Sequence, residues 1–274
     1  PGYLSTQYAL SIPDVKVIQV QHHWAHIASV LAENGVTGPV IGLAADGTGC
    51  GTDGAVWGCE CLIASLQKFE RFGHLAYYPL AGGDKAGKEA IRPVIALLEK
   101  TFGNDFSIKK FRWLLERIEP DGNKLRIIAE QIDKGINTVP TSSLGRVFDA
   151  VAAMAGLGNY NHFEAQLPMA LEAIIDRNTS QRYDFSIVRQ KGRPLQLDIG
   201  RMIEQMVLDI KKCTDTGIIS AKFHNCIAYA LLAMAKRARD EKRLNTVALS
   251  GGVFCNRYLT DRLIAHLRKN NFRV

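Results

Sequence analysis

Hydrophobic and polar positions change period several times along the chain, and each change predicts an element. Val15 to Val20 alternates around Lys16 and Gln19, the period-two signature of a short strand. The stretch from His22 to Asn34 then reads as a helix, which Gly35 can end in a left-handed conformation. Pro39 to Ala45 is a continuous apolar run bounded by glycine, the mark of a buried strand. Asp46 to Gly54 is glycine-rich and predicts a turn, after which Ala55 to Leu66 resumes as a strand. The middle reads as helical, with apolar residues at helical spacing over Ile91–Lys100, Ile108–Arg117, Ser142–Ala155 and Leu167–Arg177. Tyr183–Val188 and Leu195–Ile199 bracket Lys191-Gly192-Arg193-Pro194 as a hairpin. Ile218–Arg239 predicts a long amphipathic helix and Asn245–Leu249 a strand. Ser250-Gly251-Gly252 follows as a turn, Asn256–Lys269 as a helix, and Phe272-Arg273-Val274 as the start of a further strand. Strands alternating with helices imply α/β layers.

Composition narrows the class. The 274 residues can bury a substantial core, and 47% hydrophobic with 22% charged residues is ordinary for a globular enzyme. No apolar run approaches the roughly 20 residues that span a bilayer, and no signal segment opens the chain, so no membrane partner is expected. The chain begins Pro1-Gly2-Tyr3 without an initiator Met, so both ends are read as cut from something longer. The net charge of +7 could favour polyphosphate, nucleic acid or an acidic partner. The basic residues are dispersed, as in Lys236-Arg237-Ala238-Arg239 followed by Asp240-Glu241, which predicts a solvated face and no nucleic-acid site. Six cysteines, at 50, 59, 61, 213, 226 and 255, form no CxxC pair. They read as reduced thiols of a cytoplasmic protein, and a zinc ribbon is unsupported.

Four stretches could carry chemistry. His22 and His26 stand four apart on one helix face, so both imidazoles can address one ion, and Asp46 at the end of the next strand can add an oxygen ligand. Capping or surface histidines are the competing reading of a bare HxxxH. Asp46-Gly47-Thr48-Gly49-Cys50-Gly51-Thr52-Asp53-Gly54 leaves a buried strand with a backbone able to approach phosphate, or forms a simple hairpin turn in which Asp53 sits. Leu249-Ser250-Gly251-Gly252-Val253-Phe254-Cys255-Asn256 is strand, turn and helix start, with Asn256 either at an anion site or a plain cap. Two such turns suggest two walls of a nucleotide cleft, without a P-loop. In Thr141-Ser142-Ser143-Leu144-Gly145-Arg146-Val147-Phe148-Asp149, Thr141 or Ser142 could cap a helix on which Arg146 and Asp149 pair. Gly82-Gly83-Asp84-Lys85 reads as a solvated turn.

Together with Phe223-His224-Asn225 and Gln21-His22-His23-Trp24-Ala25-His26, these stretches run in an order that closely resembles the C-terminal transferase domain of the HypF hydrogenase-maturation carbamoyltransferases. The resemblance implies an actin/Hsp70/sugar-kinase-like α/β fold, two ribonuclease-H-like lobes around a nucleotide cleft, here truncated at both ends. Residues 1–80 would form a partial N-terminal lobe with the metal site and first phosphate loop, and residues 81–274 the helical middle and partial C-terminal lobe. It implies His22, His26 and Asp46 as ligands of a divalent metal, iron or zinc foremost, and through it as catalytic residues. Gly47, Thr48, Gly49 and Gly51 would approach phosphate, with Gly251, Gly252 and Asn256 opposite and Asp149 toward ribose.

Glu164 and Gln166 would join the ribose side, although Phe163-Glu164-Ala165-Gln166-Leu167 departs from the family's Tyr-Glu-Gly-Gln-Ala. An Asn-Asp-Gly-Gly motif completing the metal site would come just after Val274. The implied reaction moves a carbamoyl group from carbamoyl-adenylate, an ATP-derived nucleotide, to the C-terminal cysteine of HypE for the cyanide ligands of NiFe-hydrogenase. An O-carbamoyltransferase, a tRNA threonylcarbamoyl transferase or a non-catalytic nucleotide-binding docking module are the alternatives on the same scaffold.

Overall fold

The computed structural model describes residues 4–274. Helix α1 (Leu4–Ser11) comes first, and it buries none of its residues. The strand expected over Val15–Val20 does not form: those residues carry no regular structure, and Val15, Ile18 and Val20 are more than half exposed. Alternation alone makes no strand where no neighbour offers a hydrogen-bond ladder.

Helix α2 (His22–Glu33) begins where the sequence places it, with Gln21 accepting from Trp24 N at 2.8 Å as its cap. Gly35 follows at φ 62°, as expected. Strand β1 (Val40–Cys50) pairs antiparallel with β2 (Val56–Ala64) and parallel with β8 (Val247–Ser250), which is reached after the intervening elements. The glycine-rich run is therefore mostly strand, with the turn confined to residues 51–55. Strands β3 (Phe69–Leu75) and β4 (Tyr78–Ala81) follow, then α3 (Ile91–Phe102), α4 (Ile108–Ile118), α5 (Gly122–Asp133) and β5 (Thr138–Thr141). Next come α6 (Leu144–Met154), α7 (Gln166–Ala173), β6 (Ser186–Val188), β7 (Leu195–Asp198) and α8 (Gly200–Lys211). The chain closes through α9 (Thr216–Lys242), β8 and α10 (Arg257–Lys269).

The eight strands of the described residues share one mixed sheet. The expected boundary at residue 80 falls inside β4, which pairs with β5 from the other side of it, so no break in the fold coincides with that boundary. β6 and β7 form the predicted antiparallel hairpin. Arg273 bridges Thr246 in parallel, in keeping with a strand start at the last residues.

The pleat of β1 explains the layering. Ile41, Leu43 and Ala45 belong to the large core, whereas Val40 and Ala44 pack with Ile27 and Leu31 of α2 in a second, smaller one. β1 is thus buried on both faces, which accounts for its continuous apolar run. Gly42 lies beneath Ile27, whose side chain occupies the space of a Cβ. α9 is not amphipathic as predicted: every residue from Phe223 to Ala228 is buried. By length and composition it could cross a membrane, but 78% of its apolar window is buried within the protein. α7 ends at Ala173, short of the predicted Arg177, and the helix-6 cap is Ser143, one residue beyond the candidates, accepting from Arg146 N at 3.1 Å.

Candidate metal centre and adjoining cleft

The two-residue period of β1 puts Asp46 on the face that Ala44 shares with α2. A bulge adds to this. The ladder pairs Ala45 with Cys59 and next Gly49 with Trp57, so Asp46, Gly47 and Thr48 stand opposite Gly58 alone. Gly58 permits this because a Cβ there would meet the Asp46 carbonyl and the Ser143 backbone. Ser143 Oγ donates a short hydrogen bond to the Gly47 carbonyl and holds the bulge to the start of α6.

On the facing helix, His22 Nε2 lies 3.0 Å and His26 Nε2 3.4 Å from the same Asp46 Oδ2. The three candidate ligand atoms lie within 4.8 Å of one another, and all three side chains are partly exposed. Ser250 Oγ stands 3.4 Å from His26 Nδ1, a second partner that orients the ring. Burial pushes the Asp46 carboxyl up. The hydrogen bonds from His22 and Gly47 N, with the nearby His26 and His22, outweigh that effect and hold it below its ordinary value. Two imidazole nitrogens and an ionised carboxylate on one side, open to solvent on the other, fit a divalent transition metal with free positions.

His23 is fully buried between the helix and the sheet, its ring 5.0 Å from that of His22 and 6.0 Å from Trp57. Burial first, then the neighbouring His22, pushes its pKa down to about 3, so it is neutral.

Beside the triad opens a cavity of about 310 Å³. Asp46, Gly47, Gly252, Val253 and Asn256 line it, so residues from both glycine turns meet at one cavity. Glu164 and Ala165 line it from the turn before α7, and Arg146 and Phe148 from α6. Gly252 N donates to Asp46 Oδ1 at 3.4 Å, so the second turn touches the metal-site carboxylate. Gly251, at φ 106°, brings that turn against the Ala45 carbonyl, where a side chain has no room. Asn256 caps α10, accepting from Leu259 N at 2.9 Å, and also lines the cavity.

The remaining predicted residues sit elsewhere. Thr48 is exposed on the bulge and does not line the cavity. Gly49 is buried where a Cβ would meet His23 Cε1 at 2.5 Å and His22 Cδ2 at 2.6 Å, so it makes room for imidazoles. Gly51 packs on the Trp57 indole. Asp53 accepts from Trp57 Nε1 at 2.8 Å and Tyr77 OH at 2.5 Å, an anchor for the turn.

Asp149 is fully buried and pairs with Arg146 across 3.1 Å, as the intrahelical reading expects, while Asn161 Nδ2 donates to its Oδ1 at 2.9 Å. Asn161 Oδ1 in turn accepts from Leu167 N at 2.9 Å, so Asp149 anchors the turn that lines the cleft without lining it itself. Gln166 Oε1 closes that turn by accepting from His162 N at 2.8 Å. Ala165, where the resemblance implies a glycine, is left-handed at φ 59°.

A network that sequence reasoning missed lies behind Trp57. Glu60, fully buried in β2, accepts from Arg71 Nε at 2.7 Å and Ser142 Oγ at 2.5 Å. Arg71 stacks 3.7 Å over the Trp57 ring and reaches Tyr77 OH at 2.6 Å. The signal was available: a carboxylate inside an apolar run demands a buried cation.

Fold and site together define a mixed α/β domain with a His/His/Asp centre at the mouth of a glycine-walled cleft. Residues 42–274 match the protein family described as Carbamoyltransferase, Kae1-like Domain, second subdomain, and residues 1–33 match the HypF Kae1-like domain. The chain belongs to the HypF carbamoyltransferase family. It is 36% identical to the carbamoyltransferase HypF of Synechocystis sp. over 99% of its own length and 36% of that protein's. It is 35% identical to a HypF homologue of Cupriavidus necator, covering 97% of this chain and 68% of that one. The crystal structure of full-length HypF in its phosphate- and nucleotide-bound form superposes with a TM-score of 0.92 at 42% identity, covering all of this chain and 35% of that one. The chain therefore spans about a third of the full-length HypF proteins it matches.

Proposed function

We propose that this chain is the transfer site for a carbamoyl group passing from carbamoyl-adenylate to the C-terminal cysteine of HypE. The observation that carries the reading is the convergence of His22, His26 and Asp46 on one point beside a cavity walled by both glycine turns. His22, His26 and Asp46 would hold a divalent ion, iron or zinc, which supplies Lewis-acid polarisation of the carbamoyl carbonyl when bound. Gly47 and Gly252, lacking side chains, let the ligand phosphate approach the backbone of both turns. Arg146, on the cavity wall, offsets the negative charge of that phosphate, and Asp149 behind it holds the guanidinium in place. The acceptor thiolate forms an S–C bond to the carbamoyl carbon. The C–O bond to AMP breaks with its electron pair leaving on the phosphate oxygen, and the thiol proton is released to solvent. No residue of this chain acts as a covalent nucleophile in that exchange.

Carbamoylation of HypE by the full-length protein bearing His22→Ala tests the reading. Transfer should fall to background with HypE unchanged in mass. Transfer at the wild-type rate would remove the metal from the mechanism.

A further inference from the structure

His224 lies outside the cavity wall, yet its geometry determines what the wall presents. It is fully buried, boxed by Phe148, Phe223 and Tyr258 with ring centroids 5.3, 5.4 and 5.7 Å away. Its Nδ1 is 2.8 Å from the Ser220 carbonyl, which can only accept, so the ring proton resides on Nδ1 and Nε2 is an acceptor. Nε2 is 2.9 Å from the side-chain nitrogen of Asn256. That neighbour must therefore be the NH2 group, donating. A second neighbour demands the same orientation: the Leu259 backbone N–H, only a donor, is 2.9 Å from Asn256 Oδ1. With its oxygen committed to the helix cap and one hydrogen committed to His224, the amide retains one N–H, on a residue that lines the cavity.

We infer that His224 is a positioning residue that fixes Asn256 as a hydrogen-bond donor to the nucleotide, so that the cleft selects an acceptor at that point. The inference rests on the nucleotide reading above. Burial pushes the His224 pKa down to about 4, so at neutral pH the ring remains the acceptor this arrangement needs.

The test is calorimetric titration of AMP into the full-length protein. His224→Leu, which removes the acceptor, should weaken AMP binding about tenfold, the effect of one misaligned hydrogen bond. His224→Gln, whose side-chain oxygen can accept from Asn256, should restore most of the affinity. Asn256→Ala should weaken binding by itself, and adding His224→Leu should then cost nothing more, because one residue acts through the other. Wild-type affinity in His224→Leu, or an equal loss in both backgrounds, would overturn the inference. Should His224→Leu fold poorly, Asn256→Asp makes the same test: it keeps the cap oxygen and loses the NH2, and unchanged AMP affinity would refute the donor role. Absence of AMP binding by the wild-type protein would instead overturn the nucleotide reading itself.

Discussion

His22 Nε2 lies 3.0 Å from Asp46 Oδ2, although 24 residues separate the two in sequence. His26, one helical turn on, comes to 3.4 Å of the same oxygen, so one carboxylate serves both imidazoles. Removing it should abolish the centre. Asp46→Ala is expected to lower divalent-metal affinity by more than about 100-fold, beyond the 10–100-fold that outer partners of a ligand cost. Elemental analysis of the purified variant checks this, and a full metal complement in it would exclude Asp46 as a ligand.

Gly49 supplies the space in which the two adjacent histidines sit. A Cβ there would fall 2.5 Å from His23 Cε1 and 2.6 Å from His22 Cδ2. Gly49→Ala should therefore displace His22 and cost about 1–3 kcal/mol through overpacking. Loss of metal affinity without any change to a ligand residue is the diagnostic result, measured beside the melting temperature.

Ala165 occupies a left-handed conformation at the cleft, φ 59°. That conformation costs an L-residue about 1–2 kcal/mol, part of which glycine gives back through its freer unfolded chain. Ala165→Gly should stabilise the protein by roughly 0.5–1 kcal/mol. A lower melting temperature would show that the cleft turn relaxes differently.

The Asp149 carboxyl is pushed up to about 6 by burial, against the pull of Arg146 and Asn161. The folded protein therefore binds a proton more tightly there than the unfolded chain does. This contribution favours folding below pH 4 and is lost as pH rises to about 6, an amount near 3 kcal/mol from a shift of about two units. In Asp149→Asn that slope should vanish. Urea unfolding of both proteins from pH 4 to 7 measures it, and parallel curves would contradict the assignment.

Glu60 and Arg71 form a pair in which the glutamate side chain is fully buried and the arginine side chain is 10% exposed. Removing the carboxylate leaves the mostly buried arginine with only the exposed Asp53 as its counter-charge, so Glu60→Ala should cost about 3–5 kcal/mol. A smaller loss in chemical denaturation would mean that Asp53, 3.1 Å from Arg71, suffices as the counter-charge.

The sequence by itself carried the elements whose patterns are local. The helix from His22, the buried β1 strand, the hairpin of β6 and β7, and the turn before α10 all formed, because periodicity and capping act within a few residues. It also named the triad, since a four-residue spacing fixes two side chains on one helix face whatever the surroundings. What it could not carry was pairing between distant segments. The Val15–Val20 pattern found no ladder, while β3, β4 and β5, with weak local signals, became strands because β2 and one another were there to bond.

The same division runs through the site. Motif reading assigned Gly47, Gly49, Gly51 and Gly252 alike, since glycine's freedom looks identical in sequence. Only the tertiary structure decided that Gly47 and Gly252 face the cavity while Gly49 yields to the histidines and Gly51 to Trp57. Asp149 and Asn256 divide in the same way, one anchoring a turn from beneath and the other reaching the wall. A residue type sets what a side chain can do. Which cavity, ring or carbonyl it meets is fixed by the packing of segments tens to hundreds of residues apart.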